Sequence, residues 1–361
     1  MRIAVVGTGL IGGSLGLALV ERGHEVVGYD RDRARLVRAK ELGAVTTIAD
    51  DLADAAVGAD LAFVALPVGA IPDVVARLLA AGVPAVSDVG SVKGPIVAAV
   101  DALGTDASAR FVGGHPMAGS EQDGIEGARA DLFVGAAWVL TPSTATSETA
   151  YTTVRAVVRE LQAEVVTVTP DDHDVLVSFV SHVPQLAAST LMDVAIAREA
   201  EHRALLRLAA GGFRDMTRIA ASHPTIWVDI LTSNRDAVLG ALDAYLGGLQ
   251  EARALVAAGD RDALASLLER ARVARTNLPV GASAPTALVE LRVPVPDRPG
   301  VIAEVATLAG RLGVNIAALD TADSVEGKGG VLVIVVAATG ADAYEAALRE
   351  LGYRTTRTEL G

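Results

Sequence analysis

Cysteine is absent from the 361 residues, which excludes disulfides and thiolate–metal sites and fits a reducing cytoplasm. No metal site is expected. Lysine is nearly absent too: Lys40, Lys93 and Lys328 are the only three, and the span between Gly94 and Gly327 has none, so no catalytic lysine can come from it. Positive charge is scarce overall, with 31 basic residues against 44 acidic ones. Such a surface repels phosphate backbones and argues against nucleic acid as a partner. One uncharged stretch, Ile3 to Val20 after Met1-Arg2, superficially imitates a signal peptide or membrane span. Glycines at 7, 9, 12, 13 and 16 weaken it as a membrane helix, no A-x-A-like cleavage site follows, and a second strand pattern begins at once. The expectation is an untargeted, cytoplasmic protein with no membrane partner.

What is present is chain enough for two or three domains of roughly 100–200 residues. Over residues 1–170, short β-rich runs alternate with helical stretches: RIAVVG, HEVVGYD, DLAFVAL, PAVSDVG, FVGGH, AAWVLTP and EVVTVTP. Continuous apolar strands between helices imply a mostly parallel sheet covered on both faces, a doubly wound, Rossmann-like α/β domain. Residues 171–279 change to long Ala/Leu/Val/Arg segments with helical spacing, an all-helical domain. NLPVGASAP, 277–285, reads as a linker. Residues 286–361 then run strand, helix, strand, strand, helix, strand, the ferredoxin-like βαββαβ order.

The first strand ends in Gly7-Thr8-Gly9-Leu10-Ile11-Gly12, a G-x-G-x-x-G between an expected strand and an expected helix. Gly7 makes the tight turn, Gly9 lets a pyrophosphate approach the backbone, and Gly12 lets the helix pack on the sheet. The helix N-terminus, at Leu10 and Ile11, supplies N–H donors and partial positive charge. The second strand ends on Asp30, where a carboxylate can accept hydrogen bonds from the adenosine ribose and repel a 2′-phosphate, favouring NAD over NADP. Arg31 follows directly and softens that preference.

Ligands in such sheets bind at the carboxyl edge of the strands. LPVGAIP, 66–72, brings Pro67 there to cover the nicotinamide side of the cofactor. DVGSVKG, 88–94, brings Ser91, whose hydroxyl can lie close to the redox centre, cap a helix, or do both. GGHPMAGSE, 113–121, brings His115. A neutral imidazole there can accept a hydroxyl proton as a hydride departs from the same carbon; a packing histidine is the alternative. Ser120 and Glu121 can orient the ring or the substrate, and the surrounding small residues read as room for a ring and a nicotinamide. In SHVPQ, His182 sits inside an apolar helical stretch with Pro184 nearby, a conflict of helix rules that marks either a functional bend or a core histidine. GGFRDMTRIAASHPTIW, 211–227, crowds Arg214, Asp215, Arg218, His223 and Trp227 together. Asp215 and Arg218, three apart, are expected to share a helix face, so that the acid holds the guanidinium for bidentate carboxylate binding; a surface ion pair is the alternative.

In their order along the chain, GTGLIGGS, DVGSVKG, GGHPMAGSE, SHVPQ and GGFRDMTRIAASHPTIW resemble the motifs of the prephenate dehydrogenase family of tyrosine biosynthesis, and the last region resembles an ACT domain. The resemblance covers essentially the whole length. It implies oxidation of prephenate at its ring carbinol by NAD, with loss of the ring carboxylate as carbon dioxide, giving 4-hydroxyphenylpyruvate without a metal or covalent nucleophile. It implies His115 as the catalytic histidine on the ring hydroxyl and Ser91 as the serine touching both that hydroxyl and the nicotinamide. Arg218 matches the substrate-carboxylate ligand, Asp215 its polar neighbour, His182 and Trp227 the pocket walls, and Ser120 and Glu121 the pair beside the histidine. Where many relatives carry a second histidine after SH-x-P, this chain has Gln185, so no role is carried over there. In the ACT-like region, Asp297, Gly300 and Asn315 fall where such modules hold an amino acid between two copies. Tyrosine or a related aromatic amino acid is the expected effector, with a ligand-free dimerising module as the alternative.

Arogenate dehydrogenase, or a dual-specificity cyclohexadienyl enzyme, is the nearest rival, because the two substrates differ only in a keto versus an amino side chain. A β-hydroxyacid dehydrogenase would resemble its own family through a helical catalytic lysine, which this chain lacks. A non-catalytic sensor of NAD and an amino acid would need neither His115 nor Arg218. The Ala-rich helices of 171–277 carry more apolar surface than one small bundle hides, so a homodimer is expected.

Overall fold

The apolar runs of the first 170 residues form strands β1 (Arg2–Val6), β2 (Glu25–Tyr29), β3 (Thr47–Ile48), β4 (Leu61–Val64), β5 (Val86–Asp88), β6 (Phe111–Pro116), β7 (Ala137–Thr141) and β8 (Glu164–Thr167). The computed structural model describes residues 1–119, 122, 124–199, 205–278, 288–296, 298–323 and 330–360. They fall into two compact units, Met1–Ala254 and Leu255–Gly361.

In the first unit the strands pair in the order β3-β2-β1-β4-β5-β6-β7-β8. The six from β3 to β6 run parallel, β7 is antiparallel to β6, and β8 runs with β7. The lack of apolar/polar alternation follows from this layering. Ile3 and Val5 enter one core while Ala4 and Val6 enter the other, so both faces of β1 must be apolar. Strand order reverses direction between β1 and β4, which opens a crevice at the carboxyl ends beside the glycine loop. Two features escaped the sequence reading. The edge strand β3 has only two residues, too few for a periodic signal, and the reversal of β7 depends on the connection taken after β6.

Helices Pro170–Val177 and Val183–Glu199 are joined by one widened π-type turn, Ser178–His182. Pro184 has no N–H for the preceding turn and its ring crowds the carbonyl there, and the widened turn absorbs the misfit. The bend expected at SHVP is therefore present as a turn that sets the direction of His182. Pro170–Arg198 has the length and apolar composition of a membrane span, yet His173, Asp174 and His182 on it are buried in protein, which argues for packing against neighbours. Helices Gly211–Thr217, Pro224–Ser233 and Arg235–Ala258 follow. Leu176, Phe179, Val180, Ile226 and Val228 remain exposed, consistent with the apolar excess expected of these helices.

The second unit contains helix Arg261–Thr276, capped by Asp260, and a four-stranded sheet. Its strands are β9 (Leu288–Val295), β10 (Ile316–Asp323), β11 (Gly330–Ala337) and β12 (Thr356–Leu360), in the antiparallel order β10-β11-β9-β12. Val289, Leu291 and Val293 of β9 alternate inward with Leu332, Ile334 and Val336 of β11, beneath Val305 and Tyr344 of helices Val301–Arg311 and Ala338–Glu350. This is the βαββαβ arrangement read from sequence. Most of the expected linker lies outside the described residues.

Candidate active site

Gly7 leaves β1 with φ +92°, and its N–H donates to the Tyr29 carbonyl at 2.8 Å. A Cβ on Gly12 would stand 1.8 Å from the Gly7 carbonyl oxygen, so only glycine allows helix Leu10–Glu21 to start this close. Gly9 is that helix's N-cap, without a side-chain cap or first-turn acid, and a Cβ there would meet nothing within 4 Å. Open space above an uncapped helix N-terminus, with the N–H groups of the first turn directed into it, fits a dinucleotide diphosphate. Asp30 has a task that the sequence reading did not include. Its side chain is 4% exposed; Oδ2 accepts from the Thr8 N–H at 2.9 Å and the Thr8 hydroxyl at 3.2 Å, and Oδ1 from the Asp32 N–H at 2.9 Å. The carboxylate thus braces the glycine loop against β2. Arg35, at 3.4 Å, is the cation beside it, while Arg31 is exposed. Pro67 is exposed just beyond β4, at the same carboxyl edge.

His115 lies on β6 opposite Val139 of β7 and is partly buried. Its Nδ1 is 2.8 Å from His173 Nε2, and His173 Nδ1 is 2.7 Å from Asp174 Oδ1. Asp174 also accepts the Lys93 N–H on Oδ1 at 2.7 Å and the Gly94 N–H on Oδ2 at 2.8 Å, capping helix Gly94–Asp101 from a distant part of the chain. The Lys93 ammonium is fully buried; it donates to the Asp88 carboxylate and, at 2.7 Å, to the Gly114 carbonyl. Asp88 in turn accepts the Gly114 N–H at 3.1 Å and the Gly90 N–H at 2.8 Å. Asp88, Lys93, Asp174, His173, His115 and Gly114 therefore close a ring of bonds around the candidate base.

Burial, then the neighbouring His173, Lys93 and His182, hold the His115 imidazole well below its ordinary 6.5. It is neutral at neutral pH and available as a proton acceptor. His182 is pushed down to about 4, first by burial, with Asp174 opposing and His173 adding to the shift. The Asn234 amide donates to the Asp174 carbonyl at 2.8 Å and lies 3.2 Å from His182 Nδ1. The Trp227 ring stands edge-on to His182, centroids 6.2 Å apart and planes at 83°, and packs beside the core that contains Ile230.

The remaining expectations divide. Ser91 is half-buried between β5 and helix Gly94–Asp101. The cap position belongs to Lys93 and the capping oxygens to Asp174, so the helix-cap alternative for Ser91 falls. Gly113 and Gly114 are not room for a ligand: a Cβ on Gly114 would lie 2.6 Å from the Asp88 carbonyl oxygen, and one on Gly113 2.3 Å from Thr141 Oγ1. They let neighbouring parts of the sheet approach, whereas Gly119 faces open space. Asp215 and Arg218 do not share one regular helix, because helix Gly211–Thr217 tightens into a 3₁₀ turn at Arg218–Ala221; both are exposed. Ser120, Glu121 and Asp297 lie outside the described residues. Gly300 caps helix Val301–Arg311 with φ +88°, and Asn315 is exposed one residue before β10; nearby, Arg298 pairs with Glu304, which also accepts the Tyr353 hydroxyl at 3.2 Å. Sequence reasoning missed His173, Asp174, Asn234, Asp88 and Lys93. The available signal was ionisable residues set among apolar ones, but nothing local showed that they converge.

Comparison with known proteins places this geometry. The model of the prephenate dehydrogenase nucleotide-binding domain matches residues 15–167, and that of the prephenate dehydrogenase dimerization domain matches 169–270. The chain belongs to the prephenate dehydrogenase family. An ACT domain model matches residues 289–353, within the second unit, whereas the dimerization-domain match runs past the end of the first unit to residue 270. Prephenate dehydrogenase of Bacillus subtilis is 34% identical over 334 residues, covering 90% of each chain. The solved structure of prephenate dehydrogenase from A. aeolicus, in complex with hydroxyphenyl propionate and NAD+, superposes with a TM-score of 0.72 at 28% identity, over 77% of this chain and 98% of that one. Synechocystis arogenate dehydrogenase superposes at 0.66 with 33% identity, over 76% and 99%.

Proposed function

We propose that this chain oxidises prephenate at its ring carbinol with NAD, giving 4-hydroxyphenylpyruvate, carbon dioxide and NADH. The observation that carries the reading is a neutral, braced His115 at the carboxyl edge of a dinucleotide-binding sheet. NAD, when bound, supplies the nicotinamide carbon that takes the hydride. His115 draws the proton of the ring hydroxyl, which raises electron density on that oxygen and eases departure of the hydride from the same carbon. Loss of carbon dioxide from the opposite ring carbon leaves its bonding electrons to complete the aromatic ring, and the proton held on His115 returns to the phenolic oxygen. Aromatisation drives the reaction, so the protein's main work is alignment. Ser91 orients the hydroxyl, Arg218 binds a substrate carboxylate with Asp215 beside it, His182 and Trp227 wall the ring, and Ser120 and Glu121 complete the pocket.

The exposed apolar helix faces support a homodimer, and the absence of cysteine fits a cytoplasmic enzyme. At the ACT domain, near Asp297, Gly300 and Asn315, tyrosine acts as effector; unchanged kinetics and melting temperature in saturating tyrosine would count against it. Arogenate is the second reading, favoured by the likeness to the Synechocystis enzyme. NADH formation with prephenate and arogenate offered separately, each with NAD and NADP, tests both: prephenate with NAD is the expected pair, and turnover of arogenate alone would transfer the assignment.

A further inference from the structure

The sequence offers Ser120 and Glu121 to orient the His115 ring or the substrate, and the described residues supply another pair for the ring. We infer that His173 and Asp174 are positioning residues that hold His115 with its proton on Nδ1, leaving the Nε2 lone pair for the substrate hydroxyl. The inference rests on the proposed role of His115 as proton acceptor.

With His173 uncharged, the bonds order the tautomers in sequence. Backbone amides can only donate, and Asp174 receives one on each oxygen, from Lys93 on Oδ1 and Gly94 on Oδ2. Both oxygens are therefore acceptors, and the atom 2.7 Å from Oδ1, His173 Nδ1, must carry a proton. In its uncharged form, protonated on Nδ1 alone, His173 offers only a lone pair at Nε2; a doubly protonated ring would instead donate to His115 and reverse the order. The atom 2.8 Å away, His115 Nδ1, must then be the donor. His173 is 1% exposed, so solvent does not supply an alternative acceptor. Other groups near the pair are engaged elsewhere: Lys93 with Asp88 and the Gly114 carbonyl, and Asn234 with the Asp174 carbonyl and His182. The wrong tautomer would present an N–H where the reaction needs a base, as in triads whose orienting carboxylate is replaced by an amide.

The test is a nitrogen-15 NMR spectrum of full-length, ligand-free protein labelled at histidine, of which the chain has six. Expected are a pyrrole-type Nδ1 and a pyridine-type Nε2 on both His115 and His173. Asp174→Asn can turn its amide N–H toward His173, which inverts both rings; His115 then shows a pyrrole-type Nε2 and kcat falls by about 10²–10⁴-fold, with the KM for prephenate and NAD affinity little changed. A wild-type His115 protonated on Nε2 would overturn the inference, as would an Asp174→Asn enzyme whose His115 shows a pyrrole-type Nε2 and yet keeps wild-type kcat. The wild-type spectrum decides even if the variant folds poorly. It is also independent of substrate identity, so failure of NADH formation by the wild-type enzyme would count against the proposed function alone.

Discussion

Replacing Lys93 by methionine removes a cation of similar length from a place where nothing else can stand in for it. The Lys93 and Asp88 side chains are both 0% exposed, and the ammonium serves the Asp88 carboxylate and the Gly114 carbonyl together. Methionine fills the volume but leaves Asp88 as a buried charge supported only by the Gly90 and Gly114 amides. Breaking a buried pair from one side destabilises by about 3–5 kcal/mol. For a unit of this size that corresponds to a fall in melting temperature of roughly 6–20 °C. Gly114 also precedes His115, so the loss should reach catalysis, and a displacement near 1 Å at the base lowers turnover on the order of 10²-fold. The assay is thermal unfolding followed by circular dichroism, beside steady-state NADH formation. The double variant Asp88→Asn/Lys93→Met removes the orphan charge and should recover much of the melting temperature. A Lys93→Met protein melting within about 2 °C of wild type would refute the reasoning, since that shift corresponds to no more than about 1 kcal/mol.

The two loop glycines should separate folding from binding. Gly9→Ala adds a methyl group to open space, so it should keep the wild-type melting temperature while weakening NAD by at least about tenfold, or 1.4 kcal/mol; Gly12→Ala collides with the Gly7 carbonyl and should destabilise by about 1–3 kcal/mol. Calorimetric titration and thermal melts distinguish the two, and equal losses of stability would refute the contrast. Acid should also unfold the protein. His115 and His182 stay neutral when folded, His182 down to about 4, but titrate near 6.5 once unfolded. The unfolded state therefore binds more protons below that pH, and stability falls from pH 6.5 toward 4 with a slope approaching about 1.4 kcal/mol per pH unit for each imidazole. Denaturant titrations of His182→Gln should show a shallower fall, and a slope equal to wild type would contradict the cause.

The layered fold was legible because its signals are local. After Arg2, IAVV is apolar at every position because β1 is buried on both faces, and the glycine loop needs its residues at fixed spacing whatever surrounds them. His115, His182 and Trp227 were legible as candidates for the same reason: each stands out against bland neighbours. The ring of bonds around His115 was not legible, because His173 is 58 residues from His115 and Asp174 is 81 from Lys93. Such pairs are created by packing helix Pro170–Val177 against the sheet edge, and no period or spacing in the sequence encodes them. Gly113 and Gly114 misled in the opposite sense. Small residues beside a catalytic candidate suggested space for ligand, when their role is contact between neighbouring sheet segments.

The central claim is that neutral His115 accepts the hydroxyl proton while hydride leaves for NAD. Its most direct test is turnover of prephenate by His115→Asn, measured alongside calorimetric NAD binding. Expected is loss of NADH formation with NAD affinity nearly unchanged; full turnover by His115→Asn would contradict the claim.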